Sequence, residues 1–132
     1  MSSPWIIKVG GSLITHRQSE IPSIQKDSVS LLAQDLLWLQ KKNHKFILIH
    51  GAGSFGHPLA KKWKIHQGLM PETDEKRQSQ LLALGQIQVQ LYQLSLFLTE
   101  GLGAFGLPLF PIQTSSIVTL LKGRIHNCNL ST

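Results

Sequence analysis

With 132 residues, 42% hydrophobic and 15% charged, the chain has the make-up of one ordinary folded domain or part of a larger one, and not of a disordered segment. Thirteen Lys and Arg against seven Asp and Glu give a net charge of +6, a field that attracts anions, phosphorylated metabolites among them. The basic residues are scattered and the aromatics are not interleaved with them, which argues against nucleic acid as a partner. The one cysteine, Cys128, excludes an intramolecular disulfide and accords with a reducing, cytoplasmic setting. The N-terminus lacks a signal-peptide pattern, and no unbroken apolar run approaches the roughly 18–20 residues of a membrane span, so no membrane partner is expected.

Trp5 to Val9 reads as a first strand, apolar on both faces and therefore central in a parallel sheet. A polar connection opened by Gly10-Gly11-Ser12 leads to a helix from Asp27, as N-cap, to Lys42, with Leu31, Leu32, Leu36, Trp38 and Leu39 at helical spacing. Phe46 to Ile49 is the second strand, and this strand–helix–strand order predicts a right-handed βαβ unit. A glycine turn, Gly51 to Gly56, precedes a short helix from Pro58 to Lys64 and a loop from Gln67 to Thr73. Thr73 caps a long helix from Asp74 to about Glu100, ended by Gly101 and Gly103. Along it Leu84, Ile87, Leu91, Leu94 and Leu98 recur at steps of three and four, which suits core packing first and a helix–helix dimer seam second, with glutamines on the opposite or flanking faces. A third strand is expected over Pro108 to Ile112, then Gln113-Thr114-Ser115-Ser116, a short apolar stretch from Ile117 to Leu121, and a turn at Gly123. The fold class is α/β, a mostly parallel sheet sandwiched by helices. Three strands are few for two helix layers, so the chain reads as truncated, stopping mid-fold.

Both early strands run straight into glycine. After Trp5-Ile6-Ile7 comes Lys8-Val9-Gly10-Gly11-Ser12, and after Phe46-Ile47-Leu48-Ile49 comes His50-Gly51-Ala52-Gly53-Ser54-Phe55-Gly56-His57. Such turns free backbone N–H groups and let a ligand approach the main chain, the make-up of a phosphate site. Two of them suggest two phosphate groups held side by side. Lys8 can neutralise a transferred phosphoryl group, or can be an ordinary solvated lysine at a strand end. His57, after the second turn, can donate to a phosphate, cap a helix or pack. Arg17 can swing toward the phosphoryl group or sit solvated in its loop, and Ser12, Thr15 and Ser54 can offer hydroxyls. The P-loop spacing is absent. Gly51 to Gly56 does match G-x-G-x-x-G, but no acidic ribose partner is clearly placed, which counts against a dinucleotide oxidoreductase. His50 reads as structural. His16, His44, His66 and His126 have no companions at metal-ligand spacing, so no metal site is expected.

The segment Lys8-Val9-Gly10-Gly11-Ser12 resembles the N-terminal K-x-G-G-S motif of the amino acid kinase superfamily. The run from His50 to Lys62 is similar to that of its isopentenyl phosphate kinases, in which a histidine at the position of His57 marks phosphate-accepting substrates. Pro108 to Ser116 resembles a strand-plus-QPSS segment of the same kinases. The resemblance covers essentially the whole chain. It implies ATP-dependent phosphorylation of isopentenyl phosphate to isopentenyl diphosphate, with Mg²⁺ travelling on ATP. It implies that Lys8 binds the transferred group, that Gly10, Gly11, Ser12 and Gly53 line the triphosphate, and that Gly51, Ala52 and His57 hold the acceptor phosphate. Arg17 stands where such kinases carry a second lysine; it keeps the charge with a different geometry. These kinases are about twice as long, so residues 1–132 are expected to be the N-terminal substrate-binding part, with the nucleotide-binding part absent and activity alone in question. A homodimer is permitted by the long helix. The alternatives are another small-molecule kinase of the superfamily and a non-catalytic phosphate-binding module.

Overall fold

The computed structural model describes residues 3–16, 19, 21–69 and 73–129. Strand β1 (Trp5–Val9) and strand β2 (Phe46–His50) pair parallel, in register from Trp5↔Phe46 to Val9↔His50. Between them lie a one-turn helix α1 (Gly11–Ile14) and helix α2 (Lys26–Lys41), so the expected βαβ unit is present. After β2 come a 3₁₀ turn (Gly53–Phe55), helix α3 (His57–Lys62), a second 3₁₀ turn (Ile65–Gln67) and the 30-residue helix α4 (Asp74–Gly103). Helix α5 (Thr114–Ile117) and an antiparallel hairpin of β3 (Val118–Leu121) and β4 (Arg124–Cys128) complete the described chain.

The core forms where α2 and α4 cross over one face of the two-stranded sheet. Val9, Ile14, Val29, Ala33, Leu36, Phe55, Leu94, Leu98, Leu102 and Leu107 are buried there, with Ile7, Phe46 and Leu48 packed against them. Strand alternation puts Ile6, Lys8, Ile47 and Ile49 on the other face, where the three isoleucines stay 47–71% exposed. Gly101 lets the helices approach: a Cβ there would lie 3.3 Å from Val29 Cγ1.

Several local expectations are corrected. Gln25, not Asp27, is the N-cap of α2, and no side chain caps it; Asp27 lies in the first turn, where its charge still suits the helix dipole. Gly101 and Gly103 do not stop α4. Burial of Leu98 and Leu102 carries the helix through Gly103, and the reversal comes at Gly106, φ +88. Tertiary packing outweighs the ~1 kcal/mol helix penalty of a glycine. Pro108–Ile112 forms no strand. Prolines at 108 and 111 lack the N–H a ladder needs, and Phe110 is 90% exposed. The second hairpin strand was not foreseen; Lys122 and Gly123, at φ 50 and 73, make the turn with two positive φ values that twists correctly between antiparallel strands.

The stripe Leu84, Ile87, Leu91, Leu94 and Leu98 faces inward, and Thr73 does cap α4, its Oγ1 accepting from the Lys76 N–H at 3.2 Å. Gln78, Gln86, Gln88 and Gln93 are exposed as expected, Gln80 is buried, and apolar residues share the outer side of α4: Leu82, Val89 and Tyr92 are 48–65% exposed. With apolar residues all round, α4 is long and apolar enough by composition to cross a bilayer, although no unbroken apolar run is present. Its inner face packs on α2 and α3 instead.

Candidate functional site

Because β1 and β2 run parallel and in register, both glycine turns leave the sheet at the same end, where open α/β sheets form their ligand crevices. They touch backbone to backbone. A Cβ on Gly51 would sit 2.7 Å from the Gly11 nitrogen, and a Cβ on Gly11 would sit 2.6 Å from Gly53 Cα. Gly53, at φ +52, could hold a side chain only by driving it into Thr15 and the Gly11 carbonyl. Glycine at 11, 51 and 53 thus joins the two turns into one platform. Gly10 and Ser12 stand exposed beside it, and a Cβ on Gly10 would meet nothing nearer than Ser12 Oγ at 3.9 Å.

Thr15 locks the platform. Fully buried, its hydroxyl donates to the Gly11 carbonyl at 2.7 Å and accepts the Ser54 N–H at 3.0 Å. The expectation that Thr15 offers this hydroxyl to phosphate is therefore corrected; both its bonding directions are spent on holding the turns together. Ser54 Oγ accepts the Ser23 N–H at 3.4 Å. Gln25, missed in the sequence, donates its side-chain N–H to the carbonyls of Thr15 at 2.9 Å and Ser12 at 3.3 Å, fixing the first loop against the start of α2. A glutamine before a helix carries no distinctive signal, so only the fold reveals this role.

Lys8 is exposed on the open sheet face, opposite Ile49. Ala52 is half-buried in the second turn, before the 3₁₀ turn. His57 is exposed as the first residue of α3, followed by Pro58. His50 Nδ1 lies 3.3 Å from the Gly51 carbonyl, consistent with a structural part. Arg17 lies outside the described residues, as do residues 70–72 of the expected loop. Among the described residues no group of three His, Cys, Asp or Glu side chains could hold a metal ion, and Cys128 is a free, exposed thiol.

Beside the platform an open cleft of about 750 Å³ runs between α3 and α4. Pro58, Leu59 and Lys62 of α3 and Gly85, Gln86, Val89, Gln90 and Gln93 of α4 line it, together with Pro22 and Ser54. Much of this lining is apolar, and its polar side chains are three glutamines, Ser54 and one lysine. The spacing of the walls has its own clamp. Gln80, on α4 and 1% exposed, donates to the carbonyls of Trp63 at 3.0 Å and Gly68 at 2.9 Å, tying the segment after α3 to α4. The cleft meets the second glycine turn at Ser54 and carries apolar side chains on both walls, while the turns' glycines lie outside its lining.

The sequence profile of the amino acid kinase family matches residues 3–130, nearly the whole chain. The chain belongs to the amino acid kinase family. Among curated proteins it is similar to isopentenyl phosphate kinase of Methanothermobacter thermautotrophicus, 33% identical over 126 residues, which span 96% of this chain and 46% of that protein. Isopentenyl phosphate kinase of Methanocaldococcus jannaschii is 31% identical over 121 residues, spanning 86% of this chain and 44% of the relative. Among solved structures, an isopentenyl phosphate kinase superposes with a TM-score of 0.88 at 29% identity, covering 98% of this chain and 51% of that one. The chain thus spans about half the length of the kinases it matches. The α/β family fold agrees with the paired strands and flanking helices seen here.

Proposed function

We propose that this chain is the acceptor-binding part of a kinase that transfers the γ-phosphoryl group of ATP to isopentenyl phosphate, giving isopentenyl diphosphate and ADP. The observation that carries the reading is the locked pair of glycine turns, a phosphate seat, with a largely apolar cleft that reaches the second turn at Ser54 and offers a place for a short hydrocarbon tail. In this reading Gly51, Ala52 and His57 hold the acceptor phosphate. Lys8, Gly10, Gly11, Ser12 and Gly53 take the triphosphate side, and Arg17 supplies further positive charge.

A terminal oxygen of the acceptor phosphate attacks the γ-phosphorus in line, a new P–O bond forms, and the bond to the bridging oxygen of ADP breaks. Transfer of this kind rests on positioning and charge neutralisation, which a rigid backbone platform and a lysine can supply. Among the described residues no group of three His, Cys, Asp or Glu side chains is fit to hold Mg²⁺. In this reading residues 1–132 are the substrate-binding part and the adenosine end of ATP is assigned to a nucleotide-binding part outside them; the solved kinase is about twice as long as the portion this chain covers. The setting proposed for this reaction is cytoplasmic.

The test is calorimetric titration of the chain with isopentenyl phosphate, beside a His57→Ala variant. Binding by the parent that weakens at least tenfold in the variant is expected. No binding by a chain shown to be folded would overturn the assignment of a preformed acceptor site.

A further inference from the structure

The parallel strands have a second end, away from the glycine turns, where α2 finishes and both strands begin. The chain closes on itself there: the Trp5 N–H donates to the Lys45 carbonyl at 2.8 Å and the His44 N–H to the Leu39 carbonyl at 3.1 Å. Two indoles stand exposed at that end, Trp5 at 52% and Trp38 at 58%. Trp5 leans on the His44 ring, centroids 5.1 Å apart, and Lys42 Nζ lies 6.0 Å over the Trp38 ring. Lys41 and Lys45 are exposed near them in the chain. Leu31, 63% exposed, continues the Trp38 side of α2 two turns back, with Asp35 as the acid between them. Beyond Asp35 the chain carries six lysines and no acid until Glu72.

We propose that this end of the molecule docks on an anionic lipid surface, with Trp5 and Trp38 in the headgroup layer and Lys41, Lys42 and Lys45 against the lipid phosphates. Indoles favour that layer because an apolar ring with a single N–H matches its half-wet character. Lysines beside them keep their charged heads in water while their stems follow the rings inward, and each gains from the negative surface. Lysines at the end of a helix also offset its dipole, but that accounts for neither Lys45, which lies beyond α2, nor the two exposed indoles. A single-stranded nucleic acid asks for rings free to stack, whereas a neighbouring side chain already sits at each indole. Docking of this kind needs no membrane span. The glycine turns leave the opposite ends of both strands, so a docked chain keeps them open to solvent.

Flotation of the chain with mixed phosphatidylserine–phosphatidylcholine vesicles at low salt tests this. The parent is expected to partition at least tenfold more strongly onto these than onto pure phosphatidylcholine. A lysine near an anionic surface is worth about fivefold in partition, so Lys41→Glu with Lys42→Glu should weaken it at least tenfold. Lys122→Glu with Arg124→Glu, the same change of charge on the β3–β4 hairpin, should not. Trp38→Ala, at an exposed position, should keep the parent's circular dichroism yet partition more weakly, and brominated phosphatidylcholine in the vesicles should quench its emission less than the parent's. A folded parent that does not float with the mixed vesicles overturns the proposal. So does equal partition of the two double variants, or of Trp38→Ala and the parent. A parent that binds single-stranded RNA and not the vesicles overturns it in favour of nucleic acid.

Discussion

The contact between the two glycine turns makes a quantitative demand on Gly53. Alanine there must hold φ near +52, which costs an L-residue roughly 1–2 kcal/mol. Its Cβ would also displace Thr15, whose Cγ2 would lie 2.9 Å away, and would press on the Gly11 carbonyl at 2.7 Å. Moving the Thr15 hydroxyl leaves the buried Ser54 N–H or the Gly11 carbonyl without its partner, at about 1–3 kcal/mol. Together the two effects predict that Gly53→Ala lowers unfolding free energy by about 2–5 kcal/mol, a large share of the roughly 5–15 kcal/mol of an ordinary domain. Gly10→Ala is the matched control. Gly10 already has φ −64 and ψ 137, and its Cβ would point into open space, so its stability should change by no more than about 0.5 kcal/mol. Urea unfolding followed by tryptophan fluorescence and extrapolated linearly reads both variants. Equal midpoints for Gly53→Ala and the parent would refute the locked platform.

Three further outcomes are expected. Thr15→Val keeps the shape but removes the shared hydroxyl, and should cost roughly 1–3 kcal/mol by the same assay while leaving far-UV circular dichroism unchanged. Gln80→Leu removes the clamp on the Trp63 and Gly68 carbonyls, so amide exchange across residues 63–68 should quicken at least tenfold with α2 protection unaltered. Leu59→Asp places a charge on the apolar wall; isopentenyl phosphate should bind about tenfold more weakly, or about 1.4 kcal/mol, while inorganic phosphate binds as before. Equal losses for both ligands would place the tail elsewhere.

Periodicity and turn chemistry are properties of neighbouring residues, and they fixed the early elements closely. The apolar runs of β1 and β2, the Thr73 cap and the inward stripe of α4 all form where the pattern puts them. The two glycine turns were legible for the same reason, since a strand ending in glycines announces its own backbone geometry. Their joining was not. That Gly11 and Gly53 touch, and that Thr15 is a lock and not a ligand, depends on residues about forty positions apart meeting across a parallel strand pair. The stops at Gly101 and Gly103 failed because burial of Leu98 and Leu102 outweighs local propensity, and the strand at 108–112 failed because a strand exists only with a partner beside it. The sequence by itself determined which segments turn, extend or coil, because those preferences are set within a few bonds. Only the tertiary structure decided how far α4 runs past Gly101, which hydroxyl is spent and where the cleft opens, because those follow from contacts that no local pattern records.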